Sequence, residues 1–256
     1  MRHARVLGLA GLAIAAVSAV AFAQTTVAPL PDNAPVETAP LEIDLSKSTW
    51  GDATAGQAKA SACAACHGVD GNPIDPMYPR LAGQGEKFIA QQLALFATGE
   101  RNTGLAAVMV PFAQTLSAQD MRNVGAYFAK QKSGAGLADD TVVADGRYEG
   151  LKYYEIGQQL FRGGDAERGI PACMACHGAT GAGNPGPGYP HVAGQYADYT
   201  ARRLQEYRTG TTTERDPAKF NIMAKVAHGL TDQEIGALAS YLQGLHPHAD
   251  DVAAAP

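Results

Sequence analysis

Cys63-Ala64-Ala65-Cys66-His67 returns 110 residues later as Cys173-Met174-Ala175-Cys176-His177. Two thiols three positions apart, followed at once by an imidazole, form the attachment signature of c-type haem. The thiols make thioethers with the porphyrin vinyl groups and the imidazole reaches the iron. Both motifs together use all four cysteines of the chain. A thioredoxin-like redox pair would need a βαβ pattern around it, and none is visible. A zinc shared by both pairs would want them roughly 15 to 20 residues apart. Disulfides within each pair would leave the repeated histidine without a purpose. The residues therefore imply two covalently bound haem c groups, one on Cys63 and Cys66 and one on Cys173 and Cys176, with His67 and His177 as proximal iron ligands.

The opposite face of each iron needs a second ligand. A thioether is soft and neutral, favours reduced iron and raises its potential, which suits electron transfer. Beyond the N-terminal leader the methionines are Met77, Met109, Met121, Met174 and Met223. Met174 lies inside a haem motif, Met121 falls on the inward face of a helix, and Met77 follows His67 too closely for the chain to pass round a haem. Met109 and Met223 remain, each seven residues before a matched leucine, Leu116 or Leu230. The repeat selects the same methionine twice. With both axial positions filled by protein, neither iron keeps an open position for substrate, and no Ser-His-Asp grouping, P-loop or GxGxxG stretch offers another active site.

Helices must carry these groups. The pattern predicts a helix over 55–65 running into the first motif, a Gly/Pro loop over 68–85, a helix over 86–96, and a loop carrying Met109 and Pro111. Ser117 reads as the N-cap of a helix over 118–130, with Asp120 completing a capping box. The order then repeats: helix 151–161, Gly/Pro loop 178–194, helix 198–207, Met223 in a loop, and Thr231 capping a helix over 232–245. Tyr78-Pro79-Arg80-Leu81-Ala82-Gly83-Gln84 matches Tyr189-Pro190-His191-Val192-Ala193-Gly194-Gln195, so one domain is present twice. Each copy holds only about 85 to 95 residues, few enough that a large apolar cofactor serves as part of the core.

Arg2 and Arg5, the apolar run from Leu7 to Val20 and Ala21-Phe22-Ala23 predict a cleaved signal peptide over 1–23 and export to the periplasm. Residues 24–50, rich in Pro, Ala and Thr, read as a flexible leader that tethers or spaces the folded part. Two haem-binding domains are expected over 51–134 and 151–247, separated by a linker over 135–150 and followed by a disordered tail over 248–256. Losing Arg2 and Arg5 takes the formal charge from −5 to −7, an acidic balance that excludes a nucleic-acid partner. His228, His246 and His248 lack counterparts in the first copy and read as surface residues.

From about Gly51 to Leu245 the chain resembles the dihaem cytochrome c4 family, built from two class I cytochrome c domains. The resemblance rests on both Cys-x-x-Cys-His-Gly motifs, the two Tyr-Pro-x-hydrophobic-Ala-Gly-Gln stretches, the two Met-x6-Leu-Ser/Thr spacings, and the ends Ala126-Tyr127-Phe128 and Ser240-Tyr241-Leu242. It implies an all-α pair of tandem domains, each wrapped around its haem, with the haems facing one another across the interface. It also implies that Pro79 and Pro190 offer their carbonyls to His67 and His177, and that Arg80 lies near a haem propionate. The second copy has His191 at the matched position, read as a surface histidine.

The expected function is a periplasmic electron carrier, not an enzyme, taking electrons from a quinol-oxidising complex and passing them to a terminal oxidase or reductase in the membrane. The leader leaves loose association with the inner membrane open. Two alternatives are a dihaem enzyme, such as a peroxidase or sulfur-compound oxidase, and a fixed cytochrome subunit of a dehydrogenase complex.

Overall fold

The computed structural model describes residue 41 and residues 43–247; the expected signal peptide, most of the expected leader and the tail lie outside the described residues. Among the described residues the protein is helical, with isolated β-bridges and no strands. No described helix is long and apolar enough to cross a membrane.

In the first half, Asp52 caps α1 (Ala53–Ala60) by accepting the backbone N–H groups of Thr54 and Ala55. A 3-10 turn, Ser61–Cys63, joins it to the single turn α2 (Ala64–His67). The prolines keep the chain irregular until α3 (Glu86–Ala97), which buries Ile89, Ala90, Leu93, Phe96 and Ala97 at helical spacing. After the short α4 (Val110–Ala113) comes α5 (Ala118–Ala129), opened by the expected Ser117–Asp120 capping box. Helix α5 lies across α1 and α3, and Met121, Val124 and Phe128 form the centre of the first core.

The second half repeats this plan. Helix α6 (Tyr153–Gly163) leads to the single turn α7 (Met174–His177), then α8 (Ala197–Thr209), α9 (Ala218–Ala227) and α10 (Asp232–Gly244). Helix α10 opens at the expected cap Thr231, which Glu234 completes into a capping box, and packs on α6 around Ile156, Phe161 and Leu238. In both halves a glycine lets the two helices approach backbone to backbone. A Cβ at Gly56 would collide with the Asn123 carbonyl of α5, and one at Gly157 with the Ala237 carbonyl of α10.

The end of the expected leader and the expected linker both make specific contacts. Ile43 and Leu45 pack against the first core, a 3-10 turn spans Leu45–Lys47, and the Thr49 N–H donates to Gln119 Oε1 at 2.9 Å. The end of the expected leader is thus part of the first half. The expected linker is pinned to the second half: the Gly136 N–H donates to the Gln243 carbonyl at 2.8 Å, Asp139 N–H to Ser240 Oγ at 2.7 Å and Val143 N–H to the Leu151 carbonyl at 2.9 Å. Its small residues serve close packing, with Ala138 standing against Gly244 and Gly136 against Gln243. Tyr148 is buried in the second core and donates to Glu234 Oε1 at 2.5 Å.

The halves meet through their matched Tyr-Pro loops and through α3 with the turn after it, which face α8, the loop after it and α9. Arg101 donates to Tyr199 Oη at 3.3 Å, Arg215 pairs with Glu100 at 2.7 Å, and Lys219 Nζ donates to Gln91 Oε1 at 2.6 Å.

Candidate haem-attachment sites

The turn α2 delivers Cys63, Cys66 and His67 as one unit, and α7 delivers Cys173, Cys176 and His177. Each turn ends at a glycine in the left-handed region, Gly68 at φ +77° and Gly178 at φ +79°, where the backbone reverses without steric cost. The return path is the same in both halves. Gly71 accepts the N–H groups of Leu81 and Ala82, and Gly181 accepts those of Val192 and Ala193. The Gly83 N–H then donates to the Phe128 carbonyl of α5, and the Gly194 N–H to the Leu242 carbonyl of α10. The proline loop is thereby fixed to the C-terminal helix of its own half.

This brings Pro79 to His67 and Pro190 to His177. The Nδ1–O distances are 3.0 Å and 2.9 Å. A carbonyl only accepts, so Nδ1 must carry the proton, which leaves the Nε2 lone pair of each ring for a metal. Both rings are buried, at 5% and 7% exposure. Burial pushes both imidazole pKa values down, against the opposing pull of the proline carbonyls, and so favours the neutral form that ligates metal. Tyr78 stands edge-on to His67 at 6.0 Å, and Tyr189 flanks His177 at 6.3 Å.

No disulfide links the four cysteines, so all four sulfurs are left for thioether bonds. Cys63 and Cys173 lie against the apolar cores. Among the described residues no three His, Cys, Asp or Glu side chains converge, so the pairs do not share a zinc site. Met109 ends a 3-10 helix, Gly104–Met109, and packs against the first core, flanked by the exposed apolar residues Leu105, Val108 and Phe112. Met223 corrects an expectation, because it lies within α9 and not in a loop. Asp216 accepts the Ala218 N–H just after Pro217, and ten residues without Gly or Pro follow, so local chemistry favours helix there. Met121 is fully buried in the first core, Met174 packs against the second, and Met77 is half exposed.

Arg80 and His191 both sit at the interface between the halves. The Arg80 guanidinium stacks on Tyr196 of the other half at 4.3 Å and donates Nη1 to Asn72 Oδ1 at 3.3 Å. Its Nε is buried with no hydrogen-bond partner among the described residues, a donor suited to a haem propionate. His191 corrects another expectation: it is no surface histidine, but stands against Gly83 of the first half with Nε2 3.0 Å from the Ala193 carbonyl. His228 and His246 are exposed, and His248 lies outside the described residues. Neutral buried imidazoles with a free Nε2, adjacent thiols, exposed apolar flanks and an unpartnered guanidinium N–H all fit a covalently held haem in each half.

Two stretches, residues 53–132 and 154–246, match the sequence model of the cytochrome c family. Cytochrome c4 of Pseudomonas aeruginosa is 43% identical over 196 residues, 77% of this chain and 90% of that protein. The chain belongs to the dihaem cytochrome c4 family. The crystal structure of reduced recombinant cytochrome c4 from Pseudomonas stutzeri superposes with a TM-score of 0.66 at 40% identity, covering 77% of this chain and all of that one. A thiosulfate dehydrogenase electron acceptor from Thiomonas intermedia is 37% identical over 72% of this chain and 78% of its own length. As a cytochrome c4 family member, this protein is a pair of tandem all-α cytochrome c domains with two covalently bound haem c groups, and it transfers electrons.

Sequence reasoning missed Gln84 and Gln195, both nearly fully buried and bonded across the interface. Their repetition at the ends of the matched Tyr-Pro stretches was the available signal.

Proposed function

We propose that this dihaem cytochrome is a periplasmic one-electron carrier, exported by cleavage of residues 1–23, that runs between a quinol-oxidising donor and a terminal oxidase or reductase in the membrane. Cys63 and Cys66 hold one haem and Cys173 and Cys176 the other. His67 and Met109 ligate the first iron, His177 and Met223 the second. The observation that carries this reading is the duplicated imidazole–proline bond in two halves that each keep a methionine seven residues before a matched leucine. A haem iron held there would gain and lose a single electron. Pro79 and Pro190 fix the proton on Nδ1 and hold the ring planes, so each imidazole keeps one orientation in both redox states. Arg80 would supply a half-buried cation with a buried Nε–H beside its haem. With no exchangeable ligand position, the protein carries electrons without performing chemistry on a substrate.

The oxidised protein is expected to show the near-infrared sulfur-to-iron charge-transfer band. Met109→Ala and Met223→Ala should each remove about half of it, because each haem contributes one methionine–iron bond. An unchanged band in both variants would overturn the ligand assignment.

The likeness to a thiosulfate dehydrogenase electron acceptor favours a second reading, in which the electrons come from thiosulfate oxidation. Mixing the oxidised protein with each donor enzyme and following haem reduction separates the two.

A further inference from the structure

The Pro79 carbonyl and the Arg80 N–H belong to one peptide group. The carbonyl takes the His67 Nδ1 proton at 3.0 Å, while the N–H donates to Gln195 Oε1 of the other half at 2.9 Å. The second copy does the same in reverse: the Pro190 carbonyl takes the His177 proton at 2.9 Å, and the His191 N–H donates to Gln84 Oε1 at 3.1 Å. Each glutamine closes the arrangement with its amide nitrogen, Gln195 Nε2 donating to the Arg80 carbonyl at 3.0 Å and Gln84 Nε2 to the His191 carbonyl at 2.6 Å. Only this orientation of each amide satisfies both the main-chain donor and the main-chain acceptor. The glutamines are 5% and 6% exposed, so water does not compete.

We infer that Gln84 and Gln195 are positioning residues that tune the proximal histidine of the opposite half, each through a single shared peptide group. An amide whose N–H donates a hydrogen bond shifts electron density onto its own oxygen, which then accepts more strongly. The histidine in contact with that oxygen becomes a stronger electron donor to iron and stabilises the oxidised state. Gln195 therefore lowers the potential of the haem on His67, and Gln84 that of the haem on His177. The two relays are not equal, because Gln195 Oε1 also accepts the Tyr196 N–H at 3.1 Å.

The inference rests on the assignment of His67 and His177 as iron ligands. Hyperfine-shifted ring-proton resonances from two histidines in the oxidised wild type test that assignment separately; their absence would sink it before any variant is made. With the holoprotein, Gln195→Met should raise the potential of the first haem and move the His67 ring resonances, leaving the second haem unmoved. Gln84→Met should do the converse. This crossed pattern is one that loosened docking does not produce. If both potentials shift together in each variant, or the haem in the mutated half shifts instead, or neither moves, the relay is wrong. Should one variant fail to fold, the other still decides the matter.

Discussion

Glu234 is 1% exposed and still ionised. Burial alone would raise its pKa, but the Arg168 guanidinium, the Thr231 N–H and the Tyr148 hydroxyl outweigh burial and hold it at about 2 against an ordinary 4.5. Asp165, bonded by Arg168 and Arg147, is likewise held at about 2. Both folded values lie below the unfolded ones. The stabilisation is therefore complete above about pH 4.5 and is lost as pH falls towards 2. Glu234→Gln should cost about 3 kcal/mol near neutral pH, since it leaves the Arg168 charge short of a buried partner. In urea unfolding the gap from wild type should narrow as pH falls below about 4.5; a gap independent of pH would contradict this account. The proposed attachment residues stand out in the sequence because covalent haem chemistry wants two cysteines with two residues between them and a histidine directly after. Gln84 and Gln195 do not, since their partners lie 107 and 115 residues away and no local spacing encodes such a meeting.

Among the elements, capped helices followed their local signals, and the Ser117–Asp120 and Thr231–Glu234 boxes stand where their residue types placed them. Misreadings arose where one signal outvoted another. The stretch around Met223 reads as loop only by analogy with Met109, where Gly104 and Pro111 interrupt the chain; its own residues favour a helix. The segment over 135–150 reads as a linker from its glycines and acidic run and lies between the two matched stretches, but its packing against α10 has no local signal. Close approach also sets a stability prediction. Gly157→Ala should destabilise the second half by about 1–3 kcal/mol, because the added methyl meets the Ala237 carbonyl, which cannot rotate aside. Gly163→Ala, at the open end of the same helix, should be neutral or stabilising by up to about 1 kcal/mol. Thermal unfolding of both variants provides the check.

In the whole molecule, charged and neutral hydrogen bonds both join the halves. At the periphery are charged contacts such as Arg215 with Glu100, and near the Tyr-Pro loops are the neutral glutamine bonds. At 1 M salt the screening length falls to about 3 Å, which weakens the exposed ion pair and leaves buried amide bonds nearly untouched. The radius of gyration by small-angle scattering should thus stay constant between low salt and 1 M; an expansion would show that charge holds the halves together. The glutamine bonds have a further consequence for descent. Once a duplicated domain depends on its twin for a buried hydrogen bond, neither copy can be lost alone without stranding polar groups in the survivor. Because each glutamine grips main chain and not side chain, the residue after the proline is released from that constraint. Arg80 and His191 show how far two copies can drift apart at a position whose backbone is held in common.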